Sequence, residues 1–196
     1  MASSAPSRST TLHSSDWVSA AFSRFSDQGI ESVRVEVLAR DLGVSKGSFY
    51  WHFRDRGELL EEMLAHWERE ELEWIDAEDD AGPASRWARI LAKTAAPERI
   101  RSEVALREWA RRDSRVAARV AAIERRKTAL IARVLGDVGF APSAADAWSE
   151  IVFMVCLGWL DRATRDRAFL AASRGLGEFL SDVILAASSG SSPLNS

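Results

Sequence analysis

Ala39-Arg40-Asp41-Leu42-Gly43-Val44-Ser45-Lys46-Gly47-Ser48-Phe49-Tyr50-Trp51-His52-Phe53 decides the fold of this chain. Val35, Leu38, Ala39 and Leu42 recur at i, i+3, i+4 and i+7, one face of a helix, so a short helix is expected over Glu36 to Leu42. Gly43 stops it. Ser45 then stands as N-cap of a further helix that buries Phe49 and Phe53, four residues apart. Two short helices joined by a turn of about three residues with a glycine make a helix-turn-helix.

Working outward, Asp16 to Gln28 reads as the first helix, with Ser15 or Asp16 as N-cap, Gly29 as terminator and Trp17, Ala20, Ala21 and Phe25 as an apolar stripe. On the other side Asp55, with Glu58 three positions on, opens a long helix with apolar positions as far as Ile75. Gly82-Pro83 ends that segment. Its second half is acidic, with Glu61, Glu62, Glu68, Glu70, Glu71, Glu73, Asp76, Glu78, Asp79 and Asp80 against Arg69. Residues 84–135 are basic by comparison and read as three helices broken near Pro97 and Asp113-Ser114. Either the acidic helix faces these arginines within the molecule, or both faces are solvated.

Two last helices are expected over Ala144 to Leu160 and Asp166 to Ala187. The first is apolar around most of its circumference, through Trp148, Ile151, Val152, Phe153, Val155, Leu157 and Trp159, so it is buried in its own core or against another chain. With no alternating β-pattern anywhere, the chain is all-α. It divides into an N-terminal arm (1–15), a three-helix helix-turn-helix domain (16–60), a helical C-terminal domain (61–187) and a Ser/Gly/Pro tail (188–196). Arm and tail are expected to be disordered.

Among 196 residues, 46% are hydrophobic and 28% charged, enough apolar material for a packed core. The apolar run Ile151 to Leu160 is half of the ~20 residues of a membrane span, and the first fifteen residues have no apolar signal region, so a cytoplasmic protein without a membrane partner is expected. Cys156 reads as a core residue. His13, His52 and His66 have no second ligand at metal spacing, so neither metal nor cofactor is expected. No nucleophile, acid–base pair or metal site converges, which speaks against an enzyme.

The net charge is −3, and residues 1–60 hold seven Lys/Arg and seven Asp/Glu, so contact with DNA has to come from a local arrangement. The second helix of a helix-turn-helix brings its N-terminal residues to base edges. Here these are Lys46, a donor to guanine or phosphate, Ser48, able to bond several bases, and Gly47, which lets the backbone approach. With Phe49 and Phe53 inward, Tyr50, Trp51 and His52 flank the segment with donors for phosphates, and Arg56 adds a cation at the start of the fourth helix. The alternative is that Tyr50, Trp51 and His52 are a small aromatic core.

Gly43 to Phe53, followed by Arg56 and Glu58-Leu59-Leu60, resembles the signature of the TetR family of transcriptional regulators, over roughly residues 16–64. The resemblance implies a three-helix DNA-binding domain, a fourth helix leading to a ligand-binding domain, and dimerisation through the last two helices. It places Lys46, Gly47 and Ser48 at bases and Ser45, Tyr50, Trp51, His52 and Arg56 at the DNA backbone. Where the family often has Thr or Ser at the start of the second helix, this chain has Arg34-Val35-Glu36, so Arg34 is expected to take that phosphate contact, and Arg8 in the arm to reach the minor groove.

The implied partners are double-stranded operator DNA with a pseudo-palindromic sequence, a second copy of the chain, and a small-molecule effector, with repression as the usual outcome. Trp148, Ile151, Val152, Val155 and Phe179 are the expected dimer interface. Trp87, Trp109, Trp148 and Trp159 line a ligand pocket or are plain core. Arg107, Arg111, Arg112 and Arg115 either favour an anionic effector or form a solvated face. The competing class is a helical small-molecule-binding or dimerisation protein that does not bind DNA.

Overall fold

The computed structural model describes residues 12–77 and 82–166, in eight α-helices and one 3-10 turn with no strand among the described residues. They belong to two compact units that divide between His66 and Trp67, six residues beyond the expected boundary. The expected Arg8 contact, the last helix with Phe179, and the tail 188–196 lie outside the described residues.

In the first unit, α1 spans Ser14–Gln28 and starts two residues earlier than expected. His13 is the N-cap, and the Asp16 carboxylate accepts its backbone N–H at 2.7 Å. Trp17, Val18, Ala21 and Phe25 are buried, while Ala20 is only half-buried. Gly29, at φ 77°, ends the helix, and its N–H bonds the Phe25 carbonyl at 2.8 Å. A 3-10 turn, Ile30–Ser32, leads to α2, Val35–Asp41, which buries Val35, Leu38 and Ala39. Leu42, expected inside, is half-buried beyond the helix end. Gly43, at φ 69°, makes the turn into α3, Lys46–Phe49.

Helix α4, Arg56–Asp76, is one helix that runs across the division. Asp55 caps it by accepting the Glu58 N–H at 2.9 Å, and Glu58 reaches back to the Arg54 N–H at 2.7 Å, a capping box displaced by one residue.

The second unit contains α5 (Pro83–Ala95), α6 (Pro97–Ala110), α7 (Ser114–Asp137) and α8 (Pro142–Arg165), with breaks where the sequence pattern puts them. Asp113 caps α7 by accepting the N–H groups of Arg115 and Val116. The main pairing is α7 on α8, joined by a short connection through Gly139 at φ 105°. Ala145, Ser149, Val152, Cys156, Trp159 and Ala163 are buried on α8 at alternating steps of four and three, the seam of a helix packed along another. By length and hydropathy alone α8 would pass for a membrane span, but a core helix passes the same test, and this seam is that of a core helix.

The acidic half of α4 does meet the basic helices. Glu68 takes Arg119 of α7 through two 2.6 Å bonds, and Asp76 takes Arg126 at 2.7 Å. Glu71 is fully buried, on the first of the two expected alternatives. It accepts from Arg99 of α6 and lies 3.0 Å from Lys127 of α7 and 3.5 Å from Lys93 of α5. Beside it, Glu103 meets Lys127 at 2.6 Å, Arg107 at 3.2 Å and Arg99 at 3.3 Å. Burial alone would raise the Glu103 carboxyl, but Lys127, Arg99 and Arg107 outweigh it and hold it down at about 2.

Removing one partner from such a cluster strands the others. Glu71→Ala is expected to destabilise the protein by about 3–5 kcal/mol, read from the urea midpoint. Because the folded Glu103 value lies below its ordinary 4.5, the stability it contributes is complete above pH 4.5 and is lost as pH falls towards 2. Acid titration followed by circular dichroism is expected to place the loss in that window in the wild type and to shift it in Glu103→Gln.

Candidate nucleic-acid interface and a second-domain cavity

Helix α3 is only four residues long, and the chain continues from it in tighter turns. The N–H groups of Tyr50, Trp51 and His52 bond to carbonyls three residues back, of Gly47, Ser48 and Phe49, at 3.2, 3.4 and 2.9 Å. Phe49 and Phe53 are buried as expected, stacked with centroids 5.4 Å apart, and Trp17 of α1 meets Phe49 edge-on at 5.3 Å. This apolar anchor turns the intervening residues outward. Trp51 is 88% exposed and Tyr50 55%, with His52 half-buried, so these three are no aromatic core.

Ser45, Lys46 and Gly47 are exposed and Ser48 is half-buried. Ser45 occupies the N-cap position without a side-chain cap bond. Lys46 is engaged: its Nζ meets Glu36 Oε1 of α2 at 2.5 Å. The hydrogen bond from Lys46 holds the Glu36 carboxyl below its usual range, and Glu36 raises the Lys46 ammonium in turn. Nothing inside the chain requires a glycine at 47, where an added Cβ would meet only Ser45 Oγ at 3.6 Å. Arg34, the N-cap of α2, is exposed and donates through Nε to the Glu31 carbonyl at 3.1 Å.

Arg56 does not stand free beside a helix end. Its Nε and Nη2 donate to the carbonyls of Val33 and Ile30, both at 2.6 Å, and so tie the start of α4 to the connection between α1 and α2. Arg24 works in the same way, reaching the Ser32 carbonyl at 3.1 Å and Asp41 at 2.7 Å. Sequence reasoning missed Arg24 and Glu36, because both act on residues eight or more positions away and leave no periodic signal.

Residues 18–63 match the family model described as bacterial regulatory proteins, tetR family. The helix-turn-helix segment of this chain is of the tetR type. It is 31% identical over 74 residues to the transcriptional regulator SrpR of Pseudomonas putida, covering 38% of this chain and 34% of SrpR. Over 47 residues it is 40% identical to AcrR of Shigella flexneri, covering 24% of this chain and 20% of AcrR. The match thus spans about a third or less of these relatives. Among solved structures, a transcriptional regulator from Rhodococcus sp. Rha1 superposes with a TM-score of 0.64 at 18% identity, covering 85% of this chain and 94% of that one. GusR of Salmonella enterica does so with 0.59 at 16%, covering 89% and 97%. At these identities the likeness is one of fold.

The second unit holds a cavity of about 60 Å³ among α5, α6, α7, α8 and the end of α4. Its walls carry Trp74, Ile90, Leu130, Ile131, Phe153, Cys156, Leu157 and Leu160, and its polar side Lys93, Thr94, Arg99, Glu103, Arg107 and Lys127. None of the four tryptophans expected to line a pocket is among them. Trp87, Trp109 and Trp159 are buried elsewhere, Trp159 against Ile100, Leu160 and Ala163, and Trp148 is half-buried on α8. Of the four expected arginines only Arg107 reaches the cavity, while Arg111 and Arg112 are exposed and pair with Glu108, and Arg115 with Asp113. Among the described residues no group of three metal-type ligands converges.

Gly47→Ala is expected to leave thermal unfolding within about 0.5 kcal/mol of wild type, whereas Arg56→Ala, which strips two buried-side bonds, lowers stability by about 1–3 kcal/mol. Circular dichroism melts of the two variants check both.

Proposed function

We propose that this chain is a DNA-binding transcriptional regulator that works as a homodimer on a pseudo-palindromic operator and represses until a small molecule enters the second-domain cavity. The observation that carries the DNA reading is the outward donor surface from Ser45 to His52, held up by an inward Phe49 and Phe53. Exposed large aromatics cost solvation unless a partner covers them, and donors beside them suit phosphate. In this reading Lys46 and Ser48 bond base edges and Gly47 admits the backbone of the recognition helix to the groove. Ser45, Tyr50, Trp51, His52 and Arg34 hold phosphates, with Arg56 positioning them through its carbonyl bonds.

Dimerisation draws on the outer face of α8, where Ile151, Met154 and Val155 are exposed and Trp148 half-buried. Val152, expected in that interface, is buried within its own chain at 2% exposure and is left out of it. Two subunits present their recognition helices about 34–36 Å apart, one turn of DNA, or a multiple of it. The effector releases DNA by binding one arrangement of α4 better than the other, since only a difference in affinity moves such an equilibrium. The chain acts in the cytoplasm, where its DNA lies.

The test is fluorescence anisotropy with the DNA upstream of the protein's own gene, at several salt concentrations. Lys46→Ala and Trp51→Ala are each expected to weaken binding about tenfold or more, Lys46→Ala with a salt slope reduced by about one. Wild-type protein that fails to bind at low salt, or variants that match it, sink the proposal. Ile151→Glu with Val155→Glu is expected to sediment as a monomer.

A further inference from the structure

Resting on the proposed role of this cavity as the effector site, we infer that the effector is an amphipathic carboxylate, an apolar body carrying one anionic head, with the head at Lys93. Four cations and one carboxylate reach the cavity wall: Lys93, Arg99, Arg107, Lys127 and Glu103. Glu71 stands behind them, and Glu124 takes Arg107 at 2.9 Å on its other side. Among these groups an excess of one positive charge is left, and the exposed Glu70 also acts on Lys93.

That excess is localised. Arg99, Arg107 and Lys127 each hold a buried carboxylate within hydrogen-bond reach. Lys93 does not: Glu71 Oε1 is 3.5 Å away, outside the roughly 2.7–3.2 Å of a hydrogen bond. Its ammonium rests instead 4.2 Å over the Trp74 ring, and burial holds it down at about 8. The rest of the cavity is greasy. Ile131, Phe153 and Leu157 face it, and the Cys156 thiol in the same wall is pushed up to about 11 by burial alone.

A carboxylate at Lys93 supplies the counter-ion that the cluster lacks, while its tail covers the apolar wall. A neutral ligand of the same shape leaves the excess in place. A cation adds a fifth positive charge to four.

The experiment titrates the full-length protein, without DNA, with octanoate, octan-1-ol and octylammonium, following thermal stabilisation and the tryptophan emission that Trp74→Phe removes. Octanoate is expected to bind at least about tenfold more tightly than octan-1-ol, with octylammonium weakest. In Lys93→Met the octanoate preference disappears while octan-1-ol binding is retained, which shows the cavity intact, and Lys93→Arg keeps the preference. Tighter binding of the alcohol or the amine overturns the carboxylate inference and leaves the cavity as an effector site. Binding of none of the three overturns both. Octanoate binding that fails to release operator DNA in the anisotropy assay leaves the anion site standing and removes its regulatory role.

Discussion

A carboxylate with no exposure to water has to be surrounded by cations, and Glu71 is such a group. Its partners come one from each of three other helices, Lys93 on α5, Arg99 on α6 and Lys127 on α7, so satisfying it fixes those helices around the second half of α4. The attraction largely offsets the cost of taking the charges out of water. What the cluster contributes is arrangement: a helix that slid or turned would leave a charge without a partner. The same stems form one side of the cavity, so the constraint that orders the helices also gives that space its polar side.

The first unit reaches its order by other means. It is too small for a large core, and it relies on few large rings, Trp17, Phe25, Phe49 and Phe53, with arginine bonds to carbonyls tying its connections. Phe49 is the pivot. It is the last residue of α3, the contact of Trp17 and the stacking partner of Phe53, so α3 is held by its end while its start is left to solvent.

Local patterns made most of the fold legible in the sequence. The i, i+3, i+4 spacing of Val35, Leu38 and Ala39, the glycine at 43 and the breaks at Pro97 and Asp113 are signals carried by neighbours, and the structure follows them. So did the outward placing of Tyr50 and Trp51, because Phe49 and Phe53 declare the inward face. Long-range partners were not legible. Glu71 looks like any other acid in its run, and nothing near it in sequence announces Arg99 or Lys127. Arg56 looked like a free cation because Val33 and Ile30 offer it only backbone oxygen, which no residue type reveals. The tryptophans stayed open between two readings for the same reason: size shows that a side chain will be buried, and does not show whether it borders a space or fills one.

The tightened turn after α3 bears on the shape of whatever meets it. At three residues per turn, successive side chains point about 120° apart, against about 100° in an α-helix. Tyr50, Trp51 and His52 therefore fan apart around the chain. A flat surface pressed on this segment covers one of the three and leaves the others wet. A concave partner, with a floor and two walls, receives them all.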